Sequence, residues 1–278
     1  MPAPTNPGSD KICNIHKFRD KLKAGQVCLG PGVSLSDPAV TEALSDSVDF
    51  LWLDLEHSPI SLEALQAHLI AARAGGTPIL VRVPSGEVAW VKRVLDIGAE
   101  GVILPQAGSV AEVVQFVAAC RYPPQGRRGF GPRRATNYGR QNLAAYLAAA
   151  NRDVFVAVQI ETAAALEAVD AIAQVPGIDS LVIGPADLAG ALVGAPGQVE
   201  HPKVLDAIAT ICSSARAAGL SVGIGMGPDA EYATRVARLG VQWIQCGGDC
   251  TLMIRAADAL YQSIRSRLDD GTPTKPGR

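Results

Sequence analysis

Aromatic residues and net charge are both low in this sequence. Phe, Trp and Tyr make up 5% of its 278 residues, and the formal net charge is −2 at pH 7. Few aromatic side chains leave few surfaces on which single-stranded nucleic acid could stack. A nearly neutral chain also has no general attraction for nucleic acid or for anionic membranes. We therefore expect neither of them as a partner.

Three other features are missing. No run approaches the ~18 apolar residues that a membrane-spanning helix needs, and residues 1–10 lack the apolar segment of a signal peptide. The six cysteines contain no CxxC pair, although Cys246 and Cys250 lie four residues apart. This pattern favours reduced structural thiols over a metal or redox site. The protein is therefore predicted to be cytoplasmic.

What the chain does contain is a strict alternation of short apolar runs and helical patterns. The apolar runs, each predicted as a strand, lie near Val27–Leu29, Phe50–Leu55, Ile79–Val83, Gly101–Leu104, Phe155–Ile160, Ser180–Ile183, Ser221–Ile224 and Trp243–Cys246. The helical patterns lie at Pro38–Ser45, Leu62–Ala74, Glu87–Ile97, Val110–Cys120, Ala163–Gln174, Lys203–Ala218, Asp229–Leu239 and Leu252–Arg267. Eight strand–helix units predict an α/β fold, the closed (β/α)8 TIM barrel.

Two segments fall outside this repeat. A helix is predicted near Asn14–Lys23, before the first strand, and the insertion Arg121–Asp153 separates strands 4 and 5. The insertion combines a loop rich in Gly and Arg with a short helix near Leu143–Ala150. Residues 1–10 and 269–278 are predicted to be disordered, which leaves one barrel domain over residues 11–268.

Alternation inside the strands supports a barrel rather than an open sheet. In the run Leu51–Glu56 the leucines share one face, and Trp52, Asp54 and Glu56 share the other. We expect the apolar faces to pack on outer helices and the polar faces to point at the barrel axis. A doubly wound sheet would less naturally collect polar residues at so many strand ends. No GxGxxG fingerprint follows the first strand either.

Chemistry-bearing residues collect at the carboxyl ends of the strands, where barrels of this kind have their sites. The residues at this rim are Glu56, His57, Arg82, Gln106, Gln159, Glu161, Asp187, Gly225, Gly247 and Gly248. Glu161 and Asp187 follow two neighbouring parallel strands, so their carboxylates should converge. Paired carboxylates suit a hard divalent cation and chemistry on an oxygen-rich substrate.

Each of these residues also has a plainer interpretation. Glu161 and Asp187 are acids near helix starts, where a carboxylate caps a helix or interacts favourably with its dipole. His57, taken alone, is more often structural than catalytic. Arg82 inside a strand requires an anionic partner, which could be a core carboxylate or a substrate.

The lysines exclude one route for carbon–carbon bond chemistry. The seven lysines lie at positions 11, 17, 21, 23, 92, 203 and 275, and none falls at the end of a predicted strand. An aldolase that forms a Schiff base needs a lysine there as its nucleophile. A metal ion would therefore have to act as the electron sink.

Several motifs together resemble one known family. They are Asp49-Phe-x-x-x-Asp54-x-Glu56-His57, Arg82-Val-Pro84, Leu95-Asp96-x-Gly98-Ala-x-Gly101, Tyr122-Pro-Pro-x-Gly126-x-Arg128-Gly129-x-Gly131, Gln159-Ile-Glu161-Thr162 and Gly184-Pro-Ala-Asp187-Leu188. From about Gly25 to Leu268 the sequence resembles the HpcH/HpaI aldolases. These are class II, metal-dependent enzymes that release pyruvate, and they act on 4-hydroxy-2-oxo diacids or 2-keto-3-deoxy sugar acids.

The resemblance implies a role for each matching residue. Glu161 and Asp187 would bind Mg2+, Mn2+ or Co2+, and Arg82 would hold the developing enolate oxygen. His57 would be the catalytic base with Asp96 as its dyad partner. Gln159, Ala186 and Asp187, together with Arg82, would contact the substrate. The resemblance also implies a small-molecule 2-oxo acid and an aldehyde as ligands, and a homo-oligomer, either a trimer or a hexamer.

Alternatives remain open at this point. One alternative is an enzyme with another reaction: the same site could decarboxylate oxaloacetate, direct an enolate to another electrophile or cleave a CoA thioester. The other alternative is a non-catalytic barrel that only binds a small acid. The loop over residues 126–134 carries arginines at positions 127, 128, 133 and 134. It could be a pocket wall that attracts a substrate carboxylate or hydroxyl-rich tail, or a subunit contact or solvated loop. The aldehyde half of the substrate, the native metal and the subunit count stay undetermined.

Overall fold

A computed structural model of the protein describes residues 14–269. The predicted disorder at residues 1–10, and all of the C-terminal tail beyond residue 269, lie outside the described residues. The described cysteines are free thiols, and those at positions 28, 120 and 212 are buried.

Eight strands and the helices that connect them follow the predicted order. The strands are β1 (Cys28–Val33), β2 (Leu51–Asp54), β3 (Ile79–Arg82), β4 (Gly101–Leu104), β5 (Phe155–Ile160), β6 (Ser180–Ile183), β7 (Ser221–Met226) and β8 (Trp243–Gly248). The helices are α1 (Ile15–Lys23), α2 (Ala39–Leu44), α3 (Leu62–Gly75), α4 (Val88–Asp96), α5 (Val110–Cys120), α6 (Leu143–Asp153), α7 (Ala163–Glu167), α8 (Val169–Ala173), α9 (Pro185–Val193), α10 (Pro202–Ala217), α11 (Ala230–Leu239) and α12 (Asp249–Asp269).

The strands close into a parallel barrel, which confirms the predicted fold. Each strand pairs with the next, and β8 pairs with β1 through Cys28 opposite Trp243. Helix α1 precedes the barrel and α6 lies in the insertion, as predicted. Two details differ. The helix predicted at Ala163–Gln174 is divided into α7 and α8 at Ala168, and α9 was not predicted. Pro185 begins α9 because its fixed φ suits a first helical turn, and Gly194 ends it at φ 71°.

The interior of the barrel differs between its two ends. The bottom, where the strands begin, is filled by aromatic and aliphatic side chains, among them Phe50, Phe155 and Trp243. Helix α1 covers this end, since Phe18 packs its ring 5.3 Å from Phe50 and 5.5 Å from Phe155. The expectation that inward faces are polar is therefore wrong for the bottom and holds only for the mouth, where the strands end. The reason is that only the mouth is open to solvent, whereas α1 seals the bottom.

The outward faces of the strands form a second apolar layer. Leu51 and Leu53 of β2 and Val156 and Val158 of β5 are fully buried in the core between the barrel and its helices. The alternation seen in the sequence is therefore confirmed, because residues two apart share a face of a strand.

Helix α12 has a different environment from the rest. Among its 21 residues only Asp249 is buried, and its exposed apolar side chains include Leu252, Ile254, Leu260 and Ile264. The carboxylate of Asp249 accepts hydrogen bonds from the backbone amides of Ser34 and Leu35, at 2.8 and 2.9 Å, which attaches the start of α12 to the end of β1. No helix in residues 14–269 is long and apolar enough to cross a membrane.

Candidate active site

A pocket of about 630 Å³ opens at the mouth of the barrel. Five of the predicted site residues line it, namely His57, Arg82, Gln159, Ala186 and Asp187. Glu161 lies just behind this surface and is 2% exposed. The strand order thus brings together residues that are up to 130 positions apart in the sequence. The exception is Asp96.

Arg82 is held rigidly by two carboxylates. Its Nε donates to Asp54 Oδ1 at 2.9 Å and its Nη2 to Asp54 Oδ2 at 2.6 Å, while Nη1 lies 3.0 Å from Glu56 Oε2. Asp54 and Arg82 are direct partners in the β2–β3 register, so the fork-shaped contact follows from strand pairing. Burial lowers the pKa of Arg82, but the hydrogen bond and the charge of Asp54 outweigh it and raise the pKa above its ordinary value. The guanidinium is therefore a fixed positive charge.

Glu161 is positioned by one neighbour on β5 and by another that lies two residues beyond the end of β4. Its Oε1 accepts from the backbone amide of Gln106 at 2.7 Å, and its Oε2 accepts from Gln159 Nε2. Gln106 has a φ of 51°, which aims that amide at the carboxylate. Gly184 leaves the room, because a Cβ at this position would lie 2.3 Å from Glu161 Oε2. A substitution at Gly184 would push on the carboxylate directly.

Neither acid of the predicted metal pair caps a helix. Thr162 is the residue that caps α7, since its side chain accepts from the amide of Ala165. Helix α9 begins after Gly184 without a side-chain cap, and no hydrogen bond is placed on the exposed Asp187 carboxylate within residues 14–269. The side-chain capping interpretation of Glu161 and Asp187 is therefore wrong, although Asp187 does lie in the first turn of α9, where a carboxylate interacts favourably with the helix dipole.

Negative charge is concentrated around Glu161. Burial raises the pKa of this carboxyl to about 7, the Gln106 amide opposes the rise, and the charges of Asp187 and Glu56 add to it. The guanidinium of Arg82 is already paired with Asp54 and Glu56, so it neutralises little of this excess. Carboxylates that repel one another in a buried setting are suited to a divalent cation, which would remove the repulsion.

The donor set limits how such an ion would be held. No cluster of three or more His, Cys, Asp or Glu side chains able to enclose a metal occurs in the described part of the chain. Glu161 and Asp187 would thus supply two oxygen ligands. Water or substrate oxygens would have to complete the shell, which is how Mg2+ is commonly bound.

His57 lies at the edge of the pocket and its side chain is 66% exposed. The nearest carboxylate is that of Glu56, with Oε2 3.5 Å from His57 Nε2. One acid therefore lies next to both the imidazole and the guanidinium. Burial raises the pKa of Glu56, and the positive charges of Arg82 and His57 counteract this.

Asp96, predicted as the dyad partner of His57, does not reach it within one chain. Asp96 is the last residue of α4 and lies five positions before β4 begins, so it is near the bottom of the barrel. His57 lies three positions beyond the end of β2, at the mouth. Four-residue strands separate the two ends by roughly 10 Å. The Asp96 carboxylate instead accepts from Arg128 Nη2 at 2.9 Å.

The arginine-rich loop does not form a wall of the pocket in this chain. The Arg128 side chain is 1% exposed, and its guanidinium lies 4.5 Å from the centre of the Tyr122 ring. Arg134 is buried and donates to the carbonyls of Ile97 and Leu69. Both arginines have structural roles in holding the insertion against the barrel, and those at 127 and 133 are exposed to solvent.

Two features of the site were not assigned from the sequence. Asp54 and Glu56 were recognised as motif residues but not as the partners that hold Arg82, and Gln245 of β8, which lines the pocket, was not identified at all. The alternation of β2 was a usable signal for the first two, since it places Asp54 and Glu56 on the same inward face as Trp52. The alternation of β8 was an equal signal for Gln245, since it places this residue on the same inward face as Trp243.

The fold and this site are typical of (β/α)8-barrel enzymes, in which the active site lies at the carboxyl ends of the strands. The profile of the HpcH/HpaI aldolase/citrate lyase family matches residues 33–256. The sequence is 37% identical to 4-hydroxy-2-oxovalerate aldolase of Rhodococcus jostii over 248 residues, covering 88% of this chain and 95% of that protein. It is 35% identical to hydroxypyruvate/pyruvate aldolase of Pseudomonas aeruginosa, with 93% and 95% covered.

A solved structure agrees with these sequence matches. The fold superposes on an HpcH/HpaI aldolase/citrate lyase family protein of Burkholderia cenocepacia with a TM-score of 0.84 and 32% identity, covering 89% of this chain and 98% of that one. The chain belongs to the HpcH/HpaI aldolase/citrate lyase family. It is a carbon–carbon lyase, and the alternative of a barrel that only binds a small acid is not favoured.

Proposed function

We propose that this protein is a class II aldolase that cleaves a 4-hydroxy-2-oxo acid to pyruvate, or a related 2-oxo acid, and an aldehyde. The observation that carries this proposal is Arg82, locked by Asp54 and Glu56, next to Glu161 and Asp187 at a solvent-open mouth. The two relatives described above are named for aldolase reactions of this type. In addition, no lysine of residues 14–269 lies on a strand or lines the pocket, so a Schiff base has no nucleophile.

Glu161 and Asp187 would hold a divalent cation, Mg2+, Mn2+ or Co2+. When bound, such an ion supplies Lewis acidity toward the oxygens of a 2-oxo acid. The crowding of Glu161 by Asp187 and Glu56 supports this assignment. Gln159 contributes by fixing one oxygen of Glu161, and it faces the pocket beside Ala186 and Asp187.

Arg82 stabilises the negative charge that develops when the C3–C4 bond breaks. The electron pair of that bond moves toward the keto group and makes an enolate, whose oxygen requires a fixed donor. Because Asp54 and Glu56 hold the guanidinium in place, no reorganisation is needed during the reaction. One preorganised contact of this kind is commonly worth about 3 kcal/mol, or about a hundredfold in rate.

His57 accepts the proton of the C4 hydroxyl group, so that the C4 carbon leaves as an aldehyde. The enolate then takes a proton at C3 and becomes pyruvate, which balances the reaction. General base catalysis of this kind typically contributes ~10²–10⁴-fold. Glu56 lies 3.5 Å from the imidazole and can orient it. Asp96 can serve His57 only if a second copy of the chain brings it to the mouth.

A screen for pyruvate release tests this function. The purified protein is incubated with Mg2+ or Mn2+ and a panel of 4-hydroxy-2-oxo diacids and 2-keto-3-deoxy acids, and pyruvate is detected by a coupled assay. Pyruvate from at least one member of the panel is the expected result. Oxaloacetate belongs in the same panel, because its exclusive turnover would favour decarboxylation and contradict the aldolase assignment. An enzyme that retains metal and turns over no member would be incompatible with both.

The exposed apolar side chains of α12 support a homo-oligomer. In a single chain this helix exposes the apolar side chains of Leu252, Ile254, Leu260 and Ile264 to water. An exposed apolar patch of this kind is typical of a surface that another subunit covers. A trimer or a hexamer is the proposed assembly. Light scattering should give three or six times the chain mass of 28.9 kDa, whereas a monomeric mass would exclude it. We also propose that the protein functions in the cytoplasm.

A further inference from the structure

A side-chain amide lies at the mouth of the barrel on the side opposite to the proposed enolate site. Gln245 is on β8 and lines the pocket together with Gly32, Ser34 and Gly225 of the β7–β8–β1 side. Arg82 is on β3, and Glu161 and Asp187 follow β5 and β6. The same pocket reaches from Arg82 and Asp187 to Gln245, so it has room on this side for the aldehyde half of a substrate whose 2-oxo acid half lies at the enolate site. This step rests on the function proposed above.

Two glycines form the slot that the amide occupies. A Cβ at Gly225 would lie 3.1 Å from Gln245 Oε1, and a Cβ at Gly32 would lie 3.2 Å from Gln245 Nε2. Both distances are tighter than ordinary van der Waals contact. The same Cβ at Gly225 would lie 3.6 Å from Trp52 Cη2. The centre of the Trp52 ring lies 5.4 Å from Cζ of the Arg82 guanidinium. The slot therefore adjoins the reacting part of the pocket.

The orientation of the amide is fixed by one hydrogen bond. Gln245 Nε2 donates to the carbonyl oxygen of Gly247. A carbonyl only accepts, so the bonded atom must be the nitrogen, and the two ends of the amide cannot be exchanged. No donor is placed on Gln245 Oε1 within the described residues, and the side chain is half-buried. One acceptor and the second hydrogen of Nε2 are thus available to a ligand.

We propose that Gln245 is a specificity-determining residue that recognises a hydroxyl group on the aldehyde half of the substrate. A hydroxyl both donates and accepts, so it can bind Oε1 and Nε2 together. A carboxylate could use only Nε2 and would be repelled by Oε1. Water that solvates the amide in the free enzyme is displaced without loss only by a group that makes the same hydrogen bonds.

The experiment compares two aldehydes of equal size in the addition of pyruvate. Glycolaldehyde and propionaldehyde differ only in a hydroxyl against a methyl group. The ratio of their kcat/KM values is measured for the wild-type enzyme and for Gln245→Leu. Intrinsic differences in aldehyde reactivity cancel between the two enzymes. The ratio should fall ~10-fold in the variant, the value expected for loss of a neutral hydrogen bond.

Two further variants make the result decisive. Gln115→Leu removes an exposed amide from α5, far from the pocket, and its ratio should match that of the wild type. Gly225→Ala retains the amide but displaces it, so the ratio should fall by less than in Gln245→Leu. This variant also provides the measurement if Gln245→Leu is unstable.

The inference would be overturned if the ratio of the two kcat/KM values were unchanged in both site variants, even if each value decreased by the same factor. That result would show that Gln245 only fills space. That outcome leaves the aldolase function intact. Absence of pyruvate addition to either aldehyde in the wild-type enzyme, together with no pyruvate release from any 4-hydroxy-2-oxo acid, would instead overturn the proposed function and this inference with it.

Discussion

The two ends of the barrel differ in composition: the bottom is apolar and aromatic, and the mouth is charged. At the bottom, the rings of Phe18, Phe50, Phe155 and Trp243 pack in edge-to-face or tilted pairs with ring centres 5.3 to 6.4 Å apart, and α1 shields them from water. At the mouth, four carboxylates cluster around the guanidinium of Arg82 beside a solvent-open pocket, and Gly184 leaves space next to Glu161.

This difference separates stability from chemistry along one axis. Buried aromatic packing is the larger source of stability, because each side chain removes much apolar area from water. Crowded carboxylates destabilise one another, and they persist where a ligand or an ion compensates for the repulsion. We therefore expect changes at the bottom to lower stability and changes at the mouth to lower activity.

Removal of the metal should give the largest effect at the mouth. Excess chelator is expected to abolish pyruvate release, and Mg2+ or Mn2+ in excess over the chelator should restore it, because Glu161 and Asp187 alone cannot stabilise an enolate. Thermal unfolding measured in parallel should show that the chelated protein remains folded. Full activity in excess chelator would contradict the proposed metal dependence.

Arg82→Lys should lower kcat by about 100-fold or more while the fold is retained. The single ammonium group cannot reproduce the planar fork that contacts Asp54 and Glu56, so the charge is no longer fixed at the enolate oxygen. Steady-state kinetics with the best substrate of the screen provides the measurement, and circular dichroism checks folding. A kcat near that of the wild type would remove Arg82 from the mechanism.

Phe18→Ala tests the bottom of the barrel. The Phe18 ring is fully buried, and its loss leaves a cavity among Phe50, Phe155 and Trp243. The free energy of unfolding should fall by about 3–5 kcal/mol, as measured by denaturant titration. At a temperature where the variant is folded, KM should be that of the wild type. A changed KM with unchanged stability would show that the two ends are not independent.

Glu100 is a charged residue near the bottom of the barrel, and its substitution should give the smallest effect. It precedes β4, and burial raises its pKa to about 7, although the backbone amides of Asn14 and Ile15 donate to it and lower this value. Because the native pKa lies above the ordinary value of 4.5, Glu100 favours the folded state most at low pH, and this contribution is lost as the pH rises through about 7.

Glu100→Gln therefore changes how stability depends on pH. The variant, which has no proton to lose, should gain up to about 3 kcal/mol relative to the wild type between pH 4.5 and pH 8. Unfolding in urea at several pH values gives the difference directly, and Gln115→Leu serves as the control. A difference that does not vary with pH would show that Glu100 remains ionised in the folded protein.

How much the sequence could predict differs between the same two regions. The eight strands were predicted within a few residues, because a short buried strand is a continuous apolar run, and two-residue alternation separates its faces. Helix α9 was missed because its first residues, Pro185 to Asp187, read as a turn. The sealed aromatic bottom was also missed, since only the docking of α1 shows that polar residues are unnecessary there.

Within the site, the sequence alone determined which groups are available and at which strand ends they lie. Only the tertiary structure decided how they pair. The β2–β3 register pairs Arg82 with Asp54, and Glu56 also contacts its guanidinium. Glu56, rather than Asp96, lies beside His57. Gln245 lies between two glycines that belong to other strands. The physical reason is that strand order and register are set by long-range packing of the whole barrel, whereas a residue's chemical identity and its place at a strand end are local properties.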